Sequence, residues 1–279
     1  MTFVLSMLET GKAKSPIHAL DPRAKLFWWV CMIVVPILTT NPFVLLAFTI
    51  YVWILAGMAK VARQMYKFLI VTYPMMIGFI MITWPFFYEA TPTQHFLFNW
   101  AFLHMSVEGL IYALAMGMRI VLALTASTFW VMTTDLMDLA SSIGEFMQNK
   151  LHISYMYPLM VISSFKFLPE MSGDYSTIID SFRSRAMDLD TGSFSQRMKK
   201  TIPVAIPLID GMLRRAQRIA IALELKAFNA NNKNRTFYAQ HHMTIKDYLF
   251  VITGLIAIIL CLVVVAFKMG GVEIYLSSI

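Results

Sequence analysis

The sequence predicts an all-α membrane protein with about five transmembrane helices and a cytoplasmic domain of amphipathic helices. Hydrophobic residues make up 58% of its 279 residues, charged residues 14%, and the mean hydropathy is +0.64. A soluble domain of this size is usually about half apolar and a quarter charged. The excess of apolar residues falls in long runs, as expected of helices that cross a bilayer.

The first two predicted spans cover residues 26–38 and 43–58. Asp21 is a good N-cap, because its carboxylate accepts hydrogen bonds from the free N–H groups of a first helical turn, and Pro22 favours the position after it. The stretch 39–42, Thr-Thr-Asn-Pro, predicts the turn between the spans. Both runs are short for a full crossing, which takes about 20 residues.

The third and fourth predicted spans cover 68–87 and 107–132, and the segment 88–104 between them has no Lys or Arg but many aromatic residues. Such a segment suits the outer membrane interface. Arg119 lies midway along the fourth span, where a charge is costly unless it faces the protein interior. It either contacts an internal partner or a lipid headgroup, or it faces the bundle and bonds to backbone carbonyls.

The segment after the fourth span begins with Thr134 and Asp135, either of which can cap a helix over 136–147. An apolar helical pattern follows over 151–168, which either lies along the membrane or re-enters it. The fifth predicted span covers 248–267.

Fourteen of the 23 Lys and Arg residues lie between 150 and 246, and the net charge is +7. Nucleic acid is one partner for a basic protein, but in a membrane protein the positive-inside rule explains the charge more simply. The rule predicts a cytoplasmic N-terminus, five spans and an outer C-terminus.

Residues 175–228 form a basic, amphipathic block in which the pattern predicts helices over 174–187 and 207–228, with Asp174 as the first N-cap. Pro203 and Pro207 are expected to mark the approach to the second helix, which begins at about Pro207. The second helix carries one apolar stripe: Ile209, Leu213, Ala216, Ala220, Leu223 and Ala227.

Each predicted helix ends with a cation in a small or apolar setting, in the stretches Ser184-Arg185-Ala186 and Leu225-Lys226-Ala227. A cation near a helix C-terminus is electrostatically favourable. The block is therefore either a solvated loop beside the membrane or a device that docks onto a partner, and the repetition favours docking.

Four stretches in this order resemble the transmembrane T components of energy-coupling factor (ECF) transporters, the family that includes the cobalt-transport permease CbiQ. They are Leu20-Asp21-Pro22-Arg23-Ala24-Lys25, Arg119 with Thr133-Thr134-Asp135-Leu136, Ser184-Arg185-Ala186, and the segment from Arg215 to Phe228. The last two stand where the family has its two Ala-Arg-Gly motifs. The resemblance spans nearly the whole chain.

The two Ala-Arg-Gly motifs are altered in this chain. Ser184 replaces the first Ala, Ala186 and Ala227 replace the glycines, and Lys226 replaces the second Arg. Lys keeps the charge but lacks the planar, bidentate guanidinium. We therefore expect Lys226 to bind more loosely or with a different geometry.

The resemblance implies a subunit that is not itself an enzyme. Two cytoplasmic ABC ATPases would bind the coupling helices through Arg185 and Lys226, and a small membrane S component would bind the substrate: a vitamin, a cofactor precursor or a metal ion. It implies a multi-pass protein of a prokaryotic cell membrane. The apolar runs and the charge pattern divide this chain into a transmembrane bundle of about four spans over 1–134, a cytoplasmic or membrane-surface coupling domain over 135–246 and a last helix with its tail over 247–279.

The motifs of self-sufficient catalysis are missing from the sequence, which has no G-x-x-x-x-G-K-[ST] loop, no HExxH and no metal-ligand spacing. The pair His241-His242 is a weak candidate for metal binding, and no cofactor is expected. The alternatives are a self-sufficient permease or channel, which needs polar groups along several spans, and a membrane enzyme, which needs clustered His, Asp or Glu.

Overall fold

The computed structural model describes residues 15–87, 96–100, 103–151, 156–185, 193–228 and 243–267. Eight helices and one hairpin lie in these ranges. In chain order they are α1 Pro22–Leu38, α2 Pro42–Met58, α3 Ala62–Phe87, β1 Phe96–Trp100, β2 Leu103–Ser106, α4 Val107–Thr133, α5 Leu136–Leu151, α6 Met156–Ser184, α7 Phe194–Leu225 and α8 Ile245–Ala266.

Three helical segments of the described chain are long and apolar enough to cross a membrane: Ala62–Trp84, Gly109–Thr133 and Ile245–Ala266. The prediction of an all-α membrane protein is confirmed. The other two predicted spans lie in α1 and α2, which have 17 residues each and are therefore shorter than a typical crossing.

The chain divides into two compact units. Unit 1 comprises Met1–Ser142 and His241–Ile279, and unit 2 comprises Ile143–Gln240. α5 runs across the boundary between them.

The core of unit 1 forms around Trp28, whose side chain is 1% exposed. Its ring centroid lies 5.3 Å from those of both Phe129 on α4 and Phe250 on α8, and 6.4 Å from that of Tyr51 on α2. One α1 side chain thus packs against three other helices. Aromatic rings at these separations gain quadrupole attraction in addition to the burial of their apolar area.

Contacts along α1 establish the directions of its neighbours. α8 runs parallel to α1, because Asp21 bonds to Asp247 near the starts of the two helices and the Cys261 thiol contacts the Val35 carbonyl towards their ends. Close packing follows at Gly254, where an added Cβ would lie 3.3 Å from both Cys31 and Trp28.

α4 runs antiparallel to both α1 and α3. Its last residue, Thr133, meets Lys25 near the start of α1. The Tyr73 and Thr125 hydroxyls, 2.6 Å apart, join the middle of α3 to α4, and the rings of Trp84 and Tyr112 stack farther along.

The structure adds one detail to the prediction and corrects two. The segment 88–104, predicted to lie at the outer membrane interface, contributes to β1 and β2, which have five and four residues and pair antiparallel. Strand pairing satisfies backbone groups that an irregular segment leaves free.

α6 is one helix of 29 residues that covers most of the predicted 151–168 pattern and the predicted helix over 174–187. Asp174 therefore lies inside the helix, and it is wrong as an N-cap. Residues 186 and 187 lie outside the described chain.

α7 begins at Phe194 rather than 207 and contains Pro203 and Pro207. Each proline removes only one backbone hydrogen bond from a helix of 32 residues. The N-cap is Ser193, whose N–H donates to Oε1 of Gln196 at 3.2 Å, as in a capping box.

Candidate functional site

The first candidate helix end closes α6. The Ser184 hydroxyl donates to the carbonyl of Asp180 at 2.8 Å, and Arg185 follows in a turn, its N–H bonded to the carbonyl of Phe182 at 3.1 Å. The side chain of Arg185 is exposed. Ala186 lies outside the described residues. The guanidinium therefore stands beside the negative end of the α6 dipole, available to an external acceptor.

The second candidate helix end closes α7. Leu225 is 84% exposed, and Lys226 is the exposed C-cap. The Ala227 N–H bonds to the carbonyl of Glu224 and the Phe228 N–H to that of Leu223. This pair of bonds is a Schellman motif, which ends a helix through one residue in the left-handed conformation.

That left-handed residue is Ala227, at φ 53°. A Cβ in this conformation crowds the following carbonyl, so glycine is favoured there. The backbone thus explains why a glycine suits the third position of the family motif. This chain forms the same turn with alanine, at the cost of local strain.

An ion-pair clamp joins α6 to α7. Arg215 donates from Nη1 to Oε2 of Glu170 at 2.7 Å and from Nη2 to Oδ2 of Asp174 at 3.2 Å. One guanidinium therefore bridges two carboxylates a single turn apart on α6. The fork geometry of Arg suits such a contact better than the ammonium of Lys.

The two helix ends lie at opposite ends of the α6–α7 pair. An apolar groove of about 320 Å³ separates the start of α6 from the end of α7, and both Met160 and Glu224 line it. The helices are therefore antiparallel. At 1.5 Å per residue, the 24 residues from Met160 to Ser184 place the two motifs about 36 Å apart along the pair.

The predicted apolar stripe on α7 is only partly covered. Leu223 lines the groove with α6, whereas Ile209 and Leu213 are 54% and 59% exposed. Exposed apolar side chains in a row are typical of a surface that contacts a partner or lipid.

The N-terminal stretch of the resemblance is buried. Asp21 is 6% exposed, and its Oδ1 accepts from the Arg23 N–H at 2.9 Å, so it caps α1 as predicted, with Pro22 as the first helical residue. Lys25 is 4% exposed and donates from Nζ to the carbonyls of His18 at 3.0 Å and Thr133 at 2.9 Å.

Arg119 bonds to the end of α1. Its Nε donates to the carbonyl of Thr39 at 3.3 Å and its Nη2 to that of Ile37 at 3.2 Å. Of the two roles predicted for Arg119, the structure shows the bundle-facing one, in which the charge satisfies backbone carbonyls. A cation at a helix C-terminus also interacts favourably with the helix dipole.

Asp135 caps α5, because its Oδ1 accepts from the Met137 N–H at 2.8 Å. Thr134, the other predicted cap, is buried beside it at 7% exposure. Among the described residues, the structure therefore separates the predicted family positions into a buried or half-buried group in unit 1 and an exposed group at the helix ends of unit 2.

The sequence interpretation missed Asp247, which is 2% exposed. Its Oδ1 accepts from the Asp21 N–H at 2.7 Å, and its Oδ2 accepts from the Thr244 N–H at 2.6 Å and from the Thr244 hydroxyl. The spacing Thr244-x-x-Asp247 is the only signal that pointed to it, as a variant of a capping box.

Burial lowers the pKa of His18, the nearby charge of Lys25 acts in the same direction, and the polar backbone at Met132 acts in the opposite direction. His18 is therefore neutral near pH 7. Within the described ranges, no group of three His, Cys, Asp or Glu side chains is placed to hold a metal ion, and His241 and His242 lie outside them.

Comparisons with known proteins agree with the resemblance. The family model of CbiQ, described as cobalt transport protein, matches residues 13–238. The energy-coupling factor transporter transmembrane protein EcfT of Lactococcus lactis is 32% identical over 250 residues, which cover 88% of this chain and 92% of that protein.

Two further proteins with that name are similar to the chain. The one from Limosilactobacillus fermentum is 28% identical over 81% of this chain and 84% of its own length. The one from Streptococcus equi is 28% identical over 85% and 88%, respectively. The chain therefore belongs to the CbiQ/EcfT family, the transmembrane T components of energy-coupling factor transporters.

Proposed function

We propose that this chain couples two cytoplasmic ABC ATPases to a small, membrane-embedded S component during the uptake of a vitamin, a cofactor precursor or a metal ion. The chain holds no nucleotide-binding loop, so ATP hydrolysis takes place on the partners. Closure of the ATPases moves α6 and α7, and the S component responds by reorienting and releasing its substrate.

The observation that carries this proposal is the placement of the two exposed cations. Arg185 and Lys226 each follow the last turn of a long helix, and they lie at opposite ends of one antiparallel pair. A separation of about 36 Å gives each cation room for its own protein partner. Two exposed cations at this separation are better suited to contact two ATPase subunits than to bind a single ligand.

The clamp and the exposed stripe support the rest of the mechanism. Arg215 ties α6 to α7, so a force on either end acts on the pair. Ile209 and Leu213 offer an apolar face for the S component. Lys226 has one compact charge in place of a guanidinium fork, which predicts the weaker of the two ATPase contacts.

The helix directions support the proposed topology. α1, α3 and α8 run one way and α4 the other, as contacts between them require, and α2 returns from α1 through a short turn. With the basic segment between 150 and 246 inside, this order gives a cytoplasmic N-terminus in a prokaryotic cell membrane. The coupling domain over 135–246 then lies at the inner surface.

The test is affinity purification of the tagged chain from its native membrane in mild detergent, followed by mass spectrometry. We expect two P-loop ATPases and one small hydrophobic subunit with the wild type. Arg185→Glu combined with Lys226→Glu is expected to lose the ATPases while the chain stays in the membrane. ATPase recovery equal to that of the wild type would refute the docking role.

The matched control changes two exposed cations of α7 that lie outside the motifs, Lys199→Glu and Arg218→Glu. It alters the net charge by the same amount and is expected to retain the ATPases. A wild-type chain that purifies alone, even after crosslinking, would instead favour a self-sufficient permease.

A further inference from the structure

Two segments of the chain attach unit 2 to unit 1, and both attachments begin near the start of α1. The outgoing segment leaves α4 at Thr133 and enters unit 2 after Ser142. The returning segment leaves unit 2 at Gln240 and starts α8 at Ile245. These two segments are the covalent connections between the proposed coupling helices and the transmembrane helices.

Lys25 holds the outgoing segment. Its Nζ donates to the carbonyl of Thr133, the last residue of α4, and to that of His18. Its charge also interacts with the carboxylate of Asp138 in the first turn of α5. A buried ammonium thus fastens the last residue of α4 to α1, and its electrostatic attraction extends to the first turn of α5.

Asp247 holds the returning segment. One carboxylate oxygen accepts from the N–H and the hydroxyl of Thr244, which fixes the start of α8. The other oxygen accepts from the N–H of Asp21, the N-cap of α1. A single side chain therefore ties the first turn of α8 to the first turn of α1.

Asp21 and Lys25 are four residues apart, which places them on one face of α1 a single turn apart. The charge of Lys25 interacts with both Asp21 and Asp247. The outgoing and returning segments are consequently fastened to the same helical turn. We propose that Asp21, Lys25 and Asp247 are positioning residues of a transmission junction, which makes the two attachments of the coupling unit move as one body.

The chemistry of Asp21, Lys25 and Asp247 indicates that these residues define the geometry of the two attachments rather than add to the stability of the fold. Burying charges is costly, and a well-packed apolar cluster of the same volume is often equally stable. An ammonium with two carbonyl acceptors and a carboxylate with three donors define geometry more sharply than apolar packing does. This inference rests on the proposed coupling function.

The test measures the distance between spin labels at Leu136→Cys and Ile245→Cys, both exposed positions at the two attachments, in the full chain in lipid nanodiscs. Cys31→Ala and Cys261→Ala remove the native thiols. We call the chain with the two labels and without the native thiols the background chain, and we expect one narrow distribution of label–label distances for it. Lys25→Met with Asp247→Asn, which removes both charges together, is expected to broaden it at least twofold.

Met32→Ala serves as the destabilised control, because Met32 is fully buried in the same helix but outside the cluster. It is expected to lower the melting temperature without broadening the distribution. Lys25→Arg, which keeps a cation, is expected to stay narrower than Lys25→Met. An unchanged distance distribution in the double variant, or equal broadening in Met32→Ala, would contradict the proposal that Asp21, Lys25 and Asp247 hold the two attachments together.

A second measurement adds a non-hydrolysable ATP analogue to the purified complex with its ATPases. The label distance is expected to stay constant in the background chain and to shift in the double variant. An equal shift in both would contradict movement as one body. The measurement on the chain alone does not depend on ATPase binding, so failure of the junction and failure of the proposed function give different results.

Discussion

The residues that carry the family resemblance fall into two regions with opposite surroundings. In unit 1, Asp21, Lys25 and Asp135 are anchored by hydrogen bonds to neighbouring backbone, and the first two are almost fully buried. In unit 2, Arg185 and Lys226 are exposed at helix ends. The difference teaches that one family signature can contain two kinds of residue, those that hold the fold and those that face a partner.

The largest effect on the free energy of unfolding is expected for a substitution at Lys25. Lys25→Met removes a buried ammonium with its hydrogen bonds to two backbone carbonyls, and also its attraction to Asp138, Asp247 and Asp21. Each hydrogen bond from a charged donor contributes about 1.5–3 kcal/mol. We expect a large fall in the melting temperature in detergent, whereas Lys226→Met leaves it unchanged. Equal melting temperatures for the two variants would contradict the claim that Lys25 holds the fold and that Lys226 does not.

A matched pair of arginines sharpens the comparison. Arg119→Met removes hydrogen bonds from a charged donor to the end of α1, a loss of about 1.5–3 kcal/mol. Arg185→Met changes an exposed side chain and is expected to cost no more than about 0.5 kcal/mol. Thermal unfolding of both variants in one detergent checks the order, and the reverse order would contradict it.

A smaller effect is expected at the strained end of α7. Ala227→Gly relieves the left-handed alanine and should stabilise the turn by about 1 kcal/mol. Slower hydrogen exchange of the amides of Ala227 and Phe228 would report the gain. Ala222→Gly, inside the same helix, is the control and is expected to speed exchange. Faster exchange in Ala227→Gly would show that the turn is not strained.

The clamp between α6 and α7 is exposed enough for solvent to weaken it. Arg215→Met is expected to lower stability by at most about 1 kcal/mol. Its sharper signature is salt dependence, since the wild-type pair should weaken as ionic strength rises and the variant should not. Circular dichroism melts at low and high salt check this prediction, and an equal salt response in both would argue against the clamp.

The smallest expected effect is the contribution of His18 to the pH dependence of folding stability. Because burial lowers its pKa in the folded state, the unfolded state binds the proton more readily. Stability is therefore fully present above the ordinary pKa of about 6.5 and falls as pH drops below it. The loss of melting temperature between pH 7.5 and pH 5 should shrink in His18→Gln. An unchanged loss would exclude His18 as a source.

Local features of the fold were predictable from the sequence. Long apolar runs gave the spans, and the caps at Asp21 and Asp135 follow from a side chain that reaches two residues ahead. Pro203 and Pro207 misled the prediction of α7, because proline marks helix ends on average and the capping signal at Ser193 was overlooked.

The junction was beyond sequence reasoning. Lys25 meets Thr133 across 108 residues and Asp21 meets Asp247 across 226, and no local pattern encodes either pairing. The replacement of glycine at Ala227 was visible, but its consequence depends on a backbone angle that residue type alone does not give. The candidate helix ends were predicted from the repeated cation pattern and then from the resemblance, and their docking role stays a prediction.

The most direct measurement follows two properties of two variants in the same preparation. Arg119→Met and Arg185→Glu with Lys226→Glu are each purified from the native membrane, and both melting temperature and ATPase recovery are determined. We expect Arg119→Met to lose stability and, when folded, to retain ATPases, and the double variant to keep its stability and lose the ATPases. Loss of both properties in both variants, or retained ATPases in the double variant, would contradict the division into residues that hold the fold and exposed residues that face a partner.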